Sequence, residues 1–89
     1  MKQKEGFRLR KLGREYIVTA EGLKQVNFNK MIVFNETSAY LWNQADGREF
    51  TAHDLADWLL QAYDVDSDTA RADAEKVARL WVEAGIVEE

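Results

Sequence analysis

The chain has 89 residues, of which 46% are hydrophobic, and a formal net charge of −4. This length predicts one small domain over residues 1–89, and the absence of cysteine excludes disulfides and thiolate metal sites. No apolar run approaches the ~18 residues of a membrane span, and the charged N-terminal stretch has no apolar core of a secretory signal. We therefore expect a soluble cytoplasmic protein without a membrane partner.

Charge is unevenly distributed along the chain. Residues 1–30 carry eight Lys or Arg against three Glu, whereas residues 31–89 carry four Lys or Arg against thirteen acidic residues. The first part is thus +5 and the second −9, which together give the net −4. The basic part could contact an anionic partner, while the acidic part would repel nucleic acid.

Three strands are predicted in the first part. Residues 7–12 (FRLRKL) alternate apolar and basic side chains, and residues 15–20 (EYIVTA) are rich in β-branched and aromatic ones, so Gly13 is expected to turn a hairpin. The third strand is the apolar run of Met31, Ile32, Val33 and Phe34.

Three helices are predicted to follow. Asn35 is a suitable N-cap for a helix from about Glu36 to Gln44, and Thr51 with Asp54 forms a capping-box pattern for a helix to about Tyr63. A third helix should begin at Asp66 or Ser67 and stop at Gly85. Its apolar stripe has 4-3-4-3 spacing and consists of Ala70, Ala74, Val77, Trp81 and Ala84.

This order predicts an α+β, winged-helix-like fold with a small three-stranded antiparallel sheet followed by three helices. Such a sheet has unpaired edges, and the third strand has only Lys30 as a nearby charge to protect it. An extended peptide could add to that edge. The flanks of the third helix would then supply a wall, through Asp73, Lys76 and Leu80 on one side or Arg71 and Ala78 on the other.

Catalysis is not expected, and neither is a cofactor or a metal. His53 is the only histidine and lies in the first turn of the second helix, and Ser38 and Ser67 occupy helix starts where serine serves as a cap. Asp64, Asp66 and Asp68 have the spacing of a calcium loop but lack its glycine. No glycine-rich phosphate loop is present.

Two other classes of binding remain open. The helices are poor candidates for DNA recognition because the second has no Lys or Arg between Thr51 and Asp64, and the third is rich in acids. A nucleic-acid contact through the basic strands, or a homodimer formed through the third strand edge, are the alternatives.

Several segments in order resemble the coenzyme PQQ synthesis protein D (PqqD) family. They are GFRLRKLGREYIVTAEG, MIVFNETSAYLW, the Asp46-Gly47 turn and AEKVARLWVEAGIVEE, and the strongest local element is Phe34-Asn35-Glu36-Thr37. The link over residues 23–30 is longer than expected for members of the PQQ pathway, which favours a different peptide pathway.

The resemblance implies a peptide chaperone, also called a RiPP recognition element. Such a protein holds the leader of a ribosomally made precursor peptide and presents it to a modifying enzyme, often a radical SAM protein. In the family the leader adds beside the third strand and packs on the third helix. By position this implies a peptide-binding set of Met31, Ile32, Val33, Phe34, Asp73, Lys76, Arg79 and Leu80.

Overall fold

The computed structural model describes residues 1–20 and 32–89. Met31 and the link over residues 23–30 lie outside the described residues. The elements in chain order are β1 (Lys2–Gln3), β2 (Phe7–Leu12), β3 (Glu15–Ala20), β4 (Ile32–Phe34), α1 (Glu36–Gln44), α2 (Ala52–Ala62), α3 (Ser67–Ala84) and β5 (Val87–Glu88). The predicted α+β, winged-helix-like order of a three-stranded sheet followed by three helices is confirmed.

The three-stranded sheet is antiparallel, with β3 in the centre between β2 and β4. Gly13 closes the β2–β3 hairpin with a positive φ of 63°, a conformation that glycine adopts without steric cost. On the other side of β3, Tyr16 pairs with Phe34 and Ile17 with Val33. Among the described residues β4 pairs only with β3, so its second side is an open edge.

A second, two-stranded sheet was not predicted. β1 and β5 pair antiparallel, with Lys2 opposite Glu88 and Gln3 opposite Val87. Ile86 and Val87, which follow the end of α3, are both buried. Strands of two residues are too short to show a period, so pattern alone cannot reveal them.

Side-chain caps fix the starts of all three helices. The Asn35 side chain accepts a hydrogen bond from the Ser38 backbone N–H (2.8 Å), which lets α1 begin directly after β4. The Thr51 hydroxyl accepts from the Asp54 N–H and the Asp54 carboxylate accepts from the Thr51 N–H, which completes the predicted capping box. Because these contacts are local, the helix starts were readable in the sequence.

The cap of α3 is expected to be sensitive to acid. The Asp66 carboxylate accepts a 2.7 Å hydrogen bond from the Thr69 backbone N–H, and this bond lowers the pKa of Asp66. A folded-state pKa below the unfolded value gives stabilisation that is present above the unfolded pKa and is lost as the pH falls through the folded pKa. Asp66→Asn keeps a capping oxygen without the charge, so it isolates this contribution.

Thermal unfolding measured across pH checks this expectation. The melting temperature of Asp66→Asn should lie below that of the parent near neutral pH, and the gap should close as the pH falls below the ordinary aspartate pKa of 3.8. Asp64→Asn, which changes a nearby acid outside the cap, is the control. A gap that stays constant down to strong acid would contradict the role of the charge.

The core lies between the inner face of the sheet and the helices, and an aromatic cluster forms its centre. Trp81 of α3 stacks on Phe34 at 5.8 Å between ring centroids and meets Trp42 and Phe50 edge-on at 5.2 and 6.0 Å. Ala70 and Ala74 of the predicted α3 stripe are buried, as is Ala78, while Val77 and Ala84 are only half-buried. The buried side of α3 is therefore rotated slightly towards Ala78.

Candidate functional site

The free side of β4 is an apolar strand edge. Val33 is 62% exposed, Ile32 is half-buried and Phe34 is buried in the core. None of these three residues carries a charge. Charged side chains are the usual protection of an edge strand against unwanted pairing, so this edge lacks that protection. On this side of β4 the backbone N–H and C=O groups do not pair with any strand of the described residues.

Beyond the end of β4 the surface continues into a groove between the start of α1 and one flank of α3. Its volume is about 230 Å³. The α1 side is polar and the α3 side combines apolar and charged groups. The residues that line it are Asn35, Thr37, Ser38, Asp73, Lys76, Val77 and Leu80.

Leu80 is the most exposed apolar side chain of the groove, at 53%. It directly precedes the buried Trp81, and one helical position rotates a side chain by about 100° around the axis. This places Leu80 at the border of the buried side of α3, next to the half-buried Val77. About half of the Leu80 surface is therefore not packed against the rest of the domain.

The edge and the groove are held in fixed positions relative to each other. Phe34 at the end of β4 stacks on Trp81 of α3 with only 14° between the ring planes. The following residue, Asn35, caps α1 and also lines the groove. The two parts of the site are thus anchored to the same aromatic cluster.

The groove carries balanced charge. Among the described residues that line it, Asp73 and Lys76 are the only acidic and basic ones and both are exposed, while Asn35, Thr37 and Ser38 add an amide and two hydroxyls. The Ser38 backbone N–H is already used by the Asn35 cap. The site suits a peptide that combines an apolar anchor with polar neighbours, rather than one of strong charge of either sign.

The structure places the binding residues predicted from the sequence in different parts of the molecule. Ile32 and Val33 lie on the edge, and Asp73, Lys76 and Leu80 line the groove. The Phe34 side chain belongs to the core, so only its backbone is available at the edge. Arg79 lies apart, beside a cavity of about 590 Å³ on the opposite flank of α3 that Ala78, Val82 and Glu83 also line.

Four groove residues were not singled out as binding residues. Asn35 and Ser38 had been interpreted as the start of α1, Thr37 as part of the strongest element of the family resemblance, and Val77 as part of the core stripe. Asn35, Thr37 and Ser38 could have been predicted from their position, because residues that directly follow an edge strand extend the surface of that edge. Val77 could have been assigned to the groove because it lies three residues, about one helical turn, before Leu80.

No metal centre or membrane helix is found in the described part of the chain. Residues 1–20 and 32–89 contain no group of three His, Cys, Asp or Glu that could hold a metal ion. His53 lies 3.5 Å from Asp57 on the exposed side of α2, and Asp66 of the acidic trio is the cap of α3. None of the described helices combines the length and hydrophobicity needed to cross a membrane.

Comparison with known proteins gives two findings. A family model described as coenzyme PQQ synthesis protein D (PqqD) matches residues 10–87. The solved structure "TbiB1 in Complex with the TbiA(beta) Leader Peptide" has a similar fold, with a TM-score of 0.75, 14% identity and coverage of 99% of this chain and 95% of that chain. Curated protein sequences gave no match.

Proposed function

Because the chain belongs to the coenzyme PQQ synthesis protein D family, we propose that it is an adaptor that binds the leader of a ribosomally synthesised precursor peptide. The leader would add as a strand along β4 and contact α3. The adaptor would present the leader to a modifying enzyme, and we propose that this enzyme is a radical SAM protein.

One observation carries this proposal, namely the open apolar edge of β4 beside the groove that contains Leu80. A strand added to β4 would lie about 4.8 Å from it, and alternate side chains would point to opposite sides of the sheet. One set would face the groove with Val77 and Leu80, and the other would lie beside Val33. Backbone pairing would give general affinity and the groove would select the sequence.

The similar solved structure supports the proposed class of ligand. TbiB1 was determined in complex with a leader peptide, and its fold covers nearly the whole of this chain. We transfer the class of ligand from it, but no individual contact, because the two sequences are only 14% identical. The contacts we propose are those that the β4 edge and the groove of this chain offer.

A role without catalysis of its own is part of the proposal. His53 is exposed on α2 and lies 3.5 Å from Asp57, and neither residue lines the groove. The groove itself holds hydroxyls, an amide and one charge of each sign, with no imidazole or thiol to act as base or nucleophile. The partner enzyme would therefore carry out the chemistry. We propose that the product of the pathway is a compound other than PQQ.

Binding of a fluorescently labelled peptide tests the function. The probe is the synthetic leader of a precursor peptide encoded beside the gene of this chain, and a scrambled peptide of the same composition is the control. We expect saturable binding of the leader and much weaker binding of the scrambled peptide. Equal binding of both, or stronger binding of a DNA duplex, would contradict the proposal.

A further inference from the structure

Four charged residues form a stripe along the exposed side of α3. They are Arg71, Glu75, Arg79 and Glu83, which follow one another at intervals of four residues, so the sign of the charge alternates along the helix. All four are exposed. Residues four apart are neighbours on a helix surface and are separated by about 6 Å along its axis. We call these four residues the charge stripe.

The charge stripe has no partner within the domain. Among the described residues, none of its four members forms an ion pair, either along the helix or with another element. None of them lines the groove beside β4. Arg79 and Glu83 instead border the cavity of about 590 Å³ on the opposite flank of α3, which Met1, Ala78 and Val82 also line. The stripe is thus open to another molecule and has apolar side chains beside it.

The order of charges in the stripe is its own complement when it is reversed. The pair Arg71 and Glu83 and the pair Glu75 and Arg79 have the same midpoint, residue 77. If two copies of α3 pack antiparallel about a two-fold axis at that level, each arginine lies opposite a glutamate of the other copy. A parallel pair in register would place every charge opposite its own kind, which is unfavourable.

We propose that α3 forms a contact between two copies of this chain, antiparallel and along the charge stripe. A two-fold interface brings the same surface of both copies together, so that surface must be complementary to itself, as the stripe is. Ala78 and Val82, beside the stripe, add apolar contacts at its border. Because the contact consists mainly of exposed charges, the dimer is weak and forms only at high protein concentration.

This inference does not depend on leader binding. The groove lies on the other flank of α3, where Asp73, Lys76 and Leu80 line it. A contact along the charge stripe therefore leaves the β4 edge uncovered. A dimer formed through β4 itself would cover that edge, so the two kinds of dimer differ in their effect on the leader site.

The test is self-association of the full chain, measured by sedimentation equilibrium from micromolar to millimolar concentration. We expect the apparent mass to rise from that of one copy towards that of two. The rise should shrink at about 1 M salt, where the Debye length falls to about 3 Å and exposed charges are screened. The mass of one copy over the whole range would overturn the proposal, and so would a rise that salt leaves unchanged.

Charge reversal tests the pairing within the contact. Arg79→Glu places a glutamate opposite Glu75 of the other copy, and Glu75→Arg places an arginine opposite Arg79. Each variant alone should therefore associate about tenfold more weakly than the parent. An equimolar mixture of the two variants restores every opposite-charge contact in a mixed dimer, so we expect it to associate about as strongly as the parent.

Arg14→Glu is the matched control, because it changes the net charge as Arg79→Glu does but lies at the tip of the β2–β3 hairpin. It should leave self-association within about twofold of the parent. All three positions are exposed, so the melting temperatures should stay close to that of the parent. Equal weakening by Arg14→Glu and Arg79→Glu, or a mixture that stays as monomeric as its components, would overturn the proposal.

Discussion

A Trp81→Ala variant is expected to lose about 3–5 kcal/mol of unfolding free energy, the usual cost of removing a buried tryptophan. Trp81 is only 2% exposed and contacts Phe34, Trp42 and Phe50, so it joins β4, α1 and the segment before α2 to α3. Domains of this size have about 5–15 kcal/mol in total. Urea unfolding followed by circular dichroism measures the loss directly.

The adjacent residue provides the control for this variant. Leu80→Ala removes an apolar side chain from the same helix, but one that is half-exposed, so its effect should remain within about 0.5–1 kcal/mol. A loss for Leu80→Ala as large as that for Trp81→Ala would show that Leu80 is packed in the core. In that case it could not be a residue kept open for a ligand.

Replacement of Leu80 by aspartate is expected to weaken leader binding by about 1–3 kcal/mol, which is about five- to 150-fold in Kd. The charge would face the apolar side chain that a bound strand places in the groove, and it would add a second acid to the groove that Asp73 lines. Because Leu80 is largely exposed, the melting temperature should change little. Anisotropy with the labelled synthetic leader and a thermal melt together separate binding from folding.

Leu60→Asp is the matched control, since Leu60 is an exposed leucine of α2 that does not line the groove. It should leave the Kd unchanged. An equal loss of binding in both variants would mean that the added charge acts at a distance through the net charge of the protein. An unchanged Kd in Leu80→Asp would remove the groove from the proposed site.

Much of this fold was predictable because its signals are local. Asn35, Thr51 and Asp66 are caps whose side chains contact the backbone three residues on, so the helix starts follow from the sequence alone. Residues 7–10 of β2 alternate apolar and basic side chains, and Gly13 marks its turn. The α+β order then follows from the sequence of elements, since three short strands before three helices leave few ways to form one core.

What could not be predicted depends on contacts between distant residues. The pairing of Lys2 with Glu88 joins the two ends of the described chain and leaves no local pattern. Phe34 and Val33 are both apolar strand residues, and only the register with β3 shows that one is in the core and the other is exposed. Arg79 is one position from Leu80 in sequence but lies beside a different cavity.

The most direct test of edge binding is a set of intermolecular NOEs between the ¹⁵N,¹³C-labelled chain and the unlabelled synthetic leader. Strand addition predicts NOEs from leader protons to backbone amides of Ile32, Val33 and Phe34, together with contacts to the Leu80 methyl groups. NOEs confined to other surfaces, such as α2 or β2, would contradict it. So would a saturated complex without any NOE to β4, because a paired strand must lie within about 5 Å of its neighbour.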